Sequence, residues 1–353
     1  MSDAPTRRTL EILLRLIAPG PPQPSGATDL DWAALDRLAR ESHVTSALWL
    51  RLRDDPLLEQ MPAAMADGLR MAHAENVRRN RLLKAQILQV ARRLNAAGQV
   101  PVLLKGAAYL FDPPLGNAAL RYLHDLDLLA ADSGACQGAL LAGGFVELGK
   151  VARPRAEARY HHWPALVDPA SGLEVEVHKR PFITADESMT RLHLAEAVPL
   201  EQEGARLLLP SRACRIAGMV IHAQVSDRGF GRAWFNPRYL REFAEYAFAW
   251  PAEDWCRAEA TAAGNRVAFG NFRHLAEALM DARPPLASPA RRIDGLQLAR
   301  IRRHHDFAPR DRLPGRALAK LGLLKDRARR RWGHWIGWQS VPRWRLKEAE
   351  GGG

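Results

Sequence analysis

The chain has 353 residues, 47% hydrophobic and 25% charged, with a formal net charge of +12. That is enough chain for two domains or for one core with large appendages, and no run approaches the ~20 apolar residues that span a bilayer. The charge is local: residues 286–353 hold 17 Lys and Arg against 6 Asp and Glu, while the preceding 285 residues hold 34 against 33. Three widely spaced cysteines without a CxxC pair argue against a disulfide framework or structural zinc and fit a reducing compartment. Residues 1–24 carry no signal-peptide pattern. The expectation is a cytoplasmic protein, soluble or peripheral to a membrane.

Residues 1–97 read as a helical region. Asp29-Leu30-Asp31-Trp32 sets acidic residues at a helix N-terminus, and Leu35, Leu38 and Ala39 continue its apolar face. From Met65 to Ala97, the residues Leu82, Leu83, Ile87, Val90, Ala91 and Leu94 recur at helical spacing with Arg and Asn opposite, and Gly98 offers a C-cap. The pattern changes over residues 98–205. Val100-Pro101-Val102-Leu103-Leu104 lies between glycines and predicts a buried strand, with a helix after Gly106. A strand around Asp125, a helix over 133–143 and a strand over 145–148 follow. Two alternating runs, 161–167 and 173–178, flank Asp168-Pro169-Ala170-Ser171-Gly172 and predict a β-hairpin. From about Leu207 to Met280 the periodicity is helical again, a subdomain spanning 206–285 that closes at Pro284-Pro285. The fold class is α+β: a small mixed β-sheet core flanked by N- and C-terminal helical regions, with residues 286–353 as a basic Arg- and Trp-rich tail.

The chemistry concentrates in Arg121-Tyr122-Leu123-His124-Asp125-Leu126-Asp127-Leu128-Leu129. In a strand, residues i and i+2 project from one face, so Asp125 and Asp127 aim two carboxylates at one point. Like charges side by side destabilise each other unless a cation sits between them. A hard divalent cation, bound by carboxylates together with substrate phosphates, is the usual solution. Taken alone, an Asp-x-Asp also suits a turn or a solvated strand edge.

The ordered set is more specific: Leu103-Leu104-Lys105-Gly106-Ala107, then Arg121, then Asp125-Leu126-Asp127, then Val175-Glu176-Val177-His178. It resembles the DNA polymerase beta-type nucleotidyltransferase superfamily. More closely, it resembles the bacterial uncharacterised nucleotidyltransferase family, with its Leu-Lys-Gly motif, Arg-x-x-x-Asp-x-Asp and downstream Val-Glu-x-His, over roughly residues 30–280. The resemblance implies a nucleotidyltransferase core that moves a nucleoside monophosphate from an NTP to an unidentified acceptor, a small molecule, peptide or protein. It implies Mg²⁺ (or Mn²⁺) as cofactor, with Asp125, Asp127 and Glu176 as metal ligands and catalytic carboxylates. Lys105, Gly106, Ala107, Arg121 and His178 are implied on the nucleotide, the glycine by letting backbone N–H groups approach a phosphate and the cations by charge. Binding of a nucleotide without catalysis, and sugar transfer from a nucleotide sugar to a peptide or small molecule, are alternatives on the same fold.

Other residues admit two readings. Glu174 shares a strand face with Glu176 and is either a ligand or a solvated rim residue, the latter favoured. His178 either touches phosphate or is hydrogen-bonded within the core; His161 and His162 either line the site or edge a strand. His124 points away from Asp125. In the tail, Arg327, Arg329, Arg330 and Arg331 with Trp332, Trp335, Trp338 and Trp344 suit an anionic membrane surface. Nucleic acid comes second to a membrane, and packing or disorder ahead of both.

Overall fold

The computed structural model describes residues 7–20, 30–123, 125–148, 161–232 and 234–286. His124 and the basic tail, on which two of the expectations above rest, lie outside the described residues. Helices α1 (Arg7–Ile17), α2 (Trp32–Glu41), α3 (Thr45–Leu52) and α4 (Ala63–Ala96) open the chain. Helix α2 starts where the acidic signature puts it: the Asp31 side chain accepts from the Ala34 N–H at 2.9 Å and satisfies a donor that has no partner inside the helix. Gly98, just past α4, adopts φ +75°, the left-handed C-cap for which glycine has no steric penalty.

Strands β1 (Val102–Leu103), β2 (Asp125–Leu129), β3 (Val146–Glu147), β4 (Leu166–Val167), β5 (Glu174–His178), β6 (Val198–Gln202) and β7 (Ala205–Leu209) form one mixed sheet. Their order is β3-β4-β5-β2-β1-β7-β6. β2 lies at the centre, parallel to β5 and antiparallel to β1. The register sets Asp125 beside Glu174, Asp127 beside Glu176 and Leu129 beside His178, so the acidic positions of the two strands share one face of the sheet. The other face sends Leu126, Leu128, Val175 and Val177 into a core shared with the second half of α4, with α5 (Lys105–Phe111) and with α6 (Ser133–Ala142).

The β6–β7 hairpin is a strand pair that the sequence reading omits. Pro199 and the polar Glu201 and Gln202 mask the alternation, and Pro199 is tolerated because β6 is an edge strand. Its turn, Glu203-Gly204, has both residues at positive φ, +51° and +72°, the primed geometry of a two-residue hairpin. The predicted run over 161–167 shortens to β4, with His162 held to His178 by a single bridge.

The two helical regions meet in one core. Leu13 and Leu14 of α1 and Leu48 of α3 are buried together with Phe243, Trp255 and Phe272 from the helices Pro237–Ala249, Ala252–Thr261 and Arg266–Met280. Helix α4 joins this helical core to the sheet. At about 1.5 Å per residue its 34 residues span about 51 Å; Leu69 packs into the helical core and Leu83 to Leu94 into the sheet core. Leu82, counted above among its apolar positions, is exposed.

Between these halves the polar face of α4 turns inward. Asn76 Nδ2 donates to the carbonyls of Ala119 (2.7 Å) and Arg121 (3.2 Å), and Asn80 Nδ2 to those of Ala118 and Arg121, both at 2.8 Å. Arg79 donates to the Leu123 carbonyl at 3.1 Å. One helix therefore holds the loop that delivers Asp125 and Asp127. Among the described residues no helix is long and apolar enough to cross a membrane.

Removing Asn80 leaves buried carbonyls short of a donor, at about 1–3 kcal/mol. Asn80→Ala should lower the unfolding free energy in urea by that amount. A loss within error of zero would show that the loop is held otherwise.

Candidate active site

The centre of the polar face is Asp127, 3% exposed. Its Oδ1 accepts from Lys105 Nζ at 2.6 Å and from His178 Nε2 at 2.7 Å. Its backbone carbonyl accepts from the Leu104 N–H at 2.9 Å, so side chain and main chain both tie β2 to the β1–α5 turn. Burial alone would raise the Asp127 carboxyl, but the Lys105 ammonium and the His178 ring hold it far below the carboxylate range. Burial likewise opposes the charge on Lys105, and Asp127, with smaller contributions from Glu176 and Asp125, more than restores it.

His178 is fully buried and has an oxygen at each ring nitrogen: Asp127 Oδ1 at Nε2, and the Arg180 carbonyl 3.3 Å from Nδ1. Only the imidazolium donates at both positions. Burial disfavours that form, but the hydrogen bonds to Asp127 and Glu176 raise the ring above its ordinary value. Glu176 Oε2 lies 3.6 Å from His178 Nε2, and that contact holds its carboxyl below the usual range against the opposing effect of burial. His161 and His162 pack on the His178 ring, with centroids 5.1 and 5.6 Å away.

The left-handed residue of the β1–α5 turn is Lys105, at φ +48°, not Gly106. Gly106 is required for space, since a Cβ there would lie 2.4 Å from Leu123 Cδ1 and 3.3 Å from Arg121 Nε. Ala107 is buried and its N–H donates to the Leu104 carbonyl. Asp125 sits half-buried at the start of β2 beside Glu174, which is exposed at the rim.

Arg121 is brought to a protein partner. Its guanidinium donates to Glu242 in the helix Pro237–Ala249, both side chains buried, and Glu242 also accepts from Tyr246 Oη at 2.5 Å. In the same helix Glu245 is ion-paired with Arg241 and accepts, at 2.7 Å, from Tyr109 Oη of α5. Arg215 reaches Asp112 beyond α5, at 2.6 Å to the carboxylate and 2.7 Å to the carbonyl. These polar contacts fasten the helical subdomain to the site. A pocket lies along them, lined in part by Lys105, Arg121, Phe182, Arg215, His222 and Tyr239.

His222 begins a π-helical turn, His222–Ser226, a distortion that recurs at functional sites. Burial first, then the Lys105 ammonium, pushes its ring down to about 4, although 27% of the side chain remains open. It is neutral at pH 7.

Donor atoms of Asp127, Glu176 and His178 lie within 4.8 Å of one another. The two carboxylates in register suit Mg²⁺ or Mn²⁺ through oxygen, so the acidic pair fits a divalent cation, while His178 uses both ring nitrogens as donors.

The family model described as "Uncharacterised nucleotidyltransferase" matches residues 28–281, a span that takes in every residue of this site. The chain belongs to that family. No curated protein matches it. Membership points to an enzyme that transfers nucleotidyl groups.

Sequence reasoning missed Asn76, Asn80, Arg215 and Tyr246. The Asn pair at i, i+4 inside a long helix was a usable signal, because Asn is a poor helix former and two on one stripe imply partners. The others carry no local pattern.

Arg121→Met leaves Glu242 buried and unpaired, and unfolding in urea should show a loss of about 3–5 kcal/mol. Adding Glu242→Leu should recover much of it; a double variant no better than the single would refute the pairing. His222 binds fewer protons folded than unfolded between its folded value of about 4 and its ordinary 6.5. Stability therefore falls as pH drops through that window and is untouched above it. Melting temperatures of His222→Gln should show a flatter slope there than the parent; equal slopes would contradict the shift.

Proposed function

We propose that the protein is a metal-dependent nucleotidyltransferase that moves a nucleoside monophosphate from an NTP to a hydroxyl-type acceptor and releases pyrophosphate. The observation that carries this reading is the pairing of Asp127 with Glu176 in register on adjacent parallel strands, with Lys105 bonded to the first. Asp127 and Glu176 would hold Mg²⁺ or Mn²⁺, with Asp125 at the outer end of the same face. When bound, the cation neutralises and aligns the triphosphate. Lys105 would take a phosphate oxygen, and the more exposed Glu176 would receive the acceptor proton as the acceptor oxygen bonds the α-phosphorus and the bond to the leaving pyrophosphate breaks. His178, held between two oxygens, would fix the orientation of Asp127, and Arg121 would act through Glu242 to hold the helical wall of the pocket.

Kinship with the DNA polymerase beta-type superfamily belongs to the same proposal, as does a bacterial source. So does the cytoplasmic setting. The composition of residues 286–353 supports an anionic membrane surface as a further partner, ahead of nucleic acid.

A second reading is favoured by the saturation of Asp127 Oδ1 by Lys105 and His178: a domain that binds nucleotide without turnover. Pyrophosphate release across a panel of NTPs, with mass spectrometry of candidate acceptors, separates the two. Asp127→Asn is close in shape and should cut transfer by roughly two to three orders of magnitude while leaving the circular dichroism spectrum unchanged. Undiminished transfer by that variant would end the mechanism.

A further inference from the structure

We propose that Lys105 is an intramolecular competitor of the divalent cation, holding Asp127 until an NTP draws the ammonium away, so that metal enters together with nucleotide and not ahead of it. This rests on the nucleotidyltransferase reading above and adds an order of binding to it.

Two positive groups share one oxygen. Lys105 Nζ and His178 Nε2 both lie on Asp127 Oδ1, at 2.6 and 2.7 Å. A cation coordinated by that carboxylate would stand only a few ångströms from both positive groups, in a site sheltered from water, where like charges repel strongly. One of them has to leave. His178 cannot, being fully buried, bridged to His162 and held at Nδ1 by the Arg180 carbonyl. Lys105 can. Its flexible stem is a quarter exposed and borders the pocket beside the sheet.

The other cations lining that pocket are poorly placed to move. Arg121 and Arg215 are held by Glu242 and Asp112, and withdrawing Arg121 would strand the buried Glu242 carboxylate without its partner. Lys105 differs because the cation itself would replace it on Asp127. Exchange of ammonium for metal at the carboxylate, and of solvent for ammonium at a phosphate, leaves no charge uncompensated at either place.

The backbone agrees. Lys105 is a non-glycine residue at φ +48°, a conformation that persists where surroundings over-determine it and that clusters at binding sites. Here the turn is tied to Asp127 twice, by the Leu104 N–H to its carbonyl and by the Lys105 ammonium to its carboxylate. Releasing the second tie frees the side chain and leaves the turn in place.

Binding of Mn²⁺ to the full chain, followed by electron paramagnetic resonance without nucleotide, tests this. Lys105→Met should bind Mn²⁺ about tenfold or more tightly than the parent, the size expected from removing one adjacent like charge. A non-hydrolysable NTP analogue should tighten Mn²⁺ binding markedly in the parent and far less in the variant. Lys105→Gly removes the ammonium while suiting the left-handed backbone; it should show the same gain with a melting temperature above that of the Met variant, which covers any folding defect caused by methionine in that backbone. If the parent binds Mn²⁺ in an Asp127-dependent manner and neither variant binds it more tightly, Lys105 is no competitor and the metal reading survives. If Asp127→Asn changes nothing and no variant binds Mn²⁺, both this inference and the metal-dependent reading fall.

Discussion

A carboxylate buried to the extent of Asp127 remains ionised only where opposite charge and donated hydrogen bonds replace lost water. Its neighbours are arranged around that requirement. Lys105 and His178 supply the charge, from a turn on one side and a parallel strand on the other. The Leu104–Asp127 backbone bond sets the turn against β2, and the β2–β5 register then fixes Glu176 at the same height. These partners converge on one residue and hold the acidic face in a single arrangement.

The helical layers serve the same centre. Helix α4 grips the loop ahead of β2 through Asn76, Arg79 and Asn80, while the Arg121–Glu242 and Tyr109–Glu245 contacts bind the C-terminal helices to that loop and to α5. A buried ion pair such as Arg121–Glu242 contributes little net stability compared with apolar packing, yet breaking it is costly. The effect of these contacts is to make the relative placement of sheet and helices specific, so that the pocket wall bearing His222 and Tyr239 stands at a fixed distance from Lys105.

What could be read in advance follows from the range of each interaction. β2 and β5 were legible because alternation over five residues is a local signal, and so was the Asp31 cap of α2. The acidic pair Asp127–Glu176 emerged from motif order. The β6–β7 hairpin escaped because Pro199 and a Glu-Gly turn disguise an edge strand. The missing Cβ of Gly106 makes room for Leu123 and the left-handed backbone belongs to Lys105, neither of which leaves a local pattern. The Arg121–Glu242 pair escaped because its members lie 121 residues apart, and no periodicity connects the two. Long-range pairing of buried charges is invisible to patterns that act over one or two turns.

The central claim is that Asp127 and Glu176 together hold a divalent cation and that Lys105 yields its place to it. A crystal structure with Mn²⁺ and a non-hydrolysable NTP, read by anomalous scattering, tests this most directly. The account predicts a peak about 2 Å from carboxylate oxygens of both Asp127 and Glu176, with Lys105 Nζ moved onto a phosphate oxygen. A peak away from these carboxylates, or nucleotide bound with Lys105 still on Asp127, would contradict it.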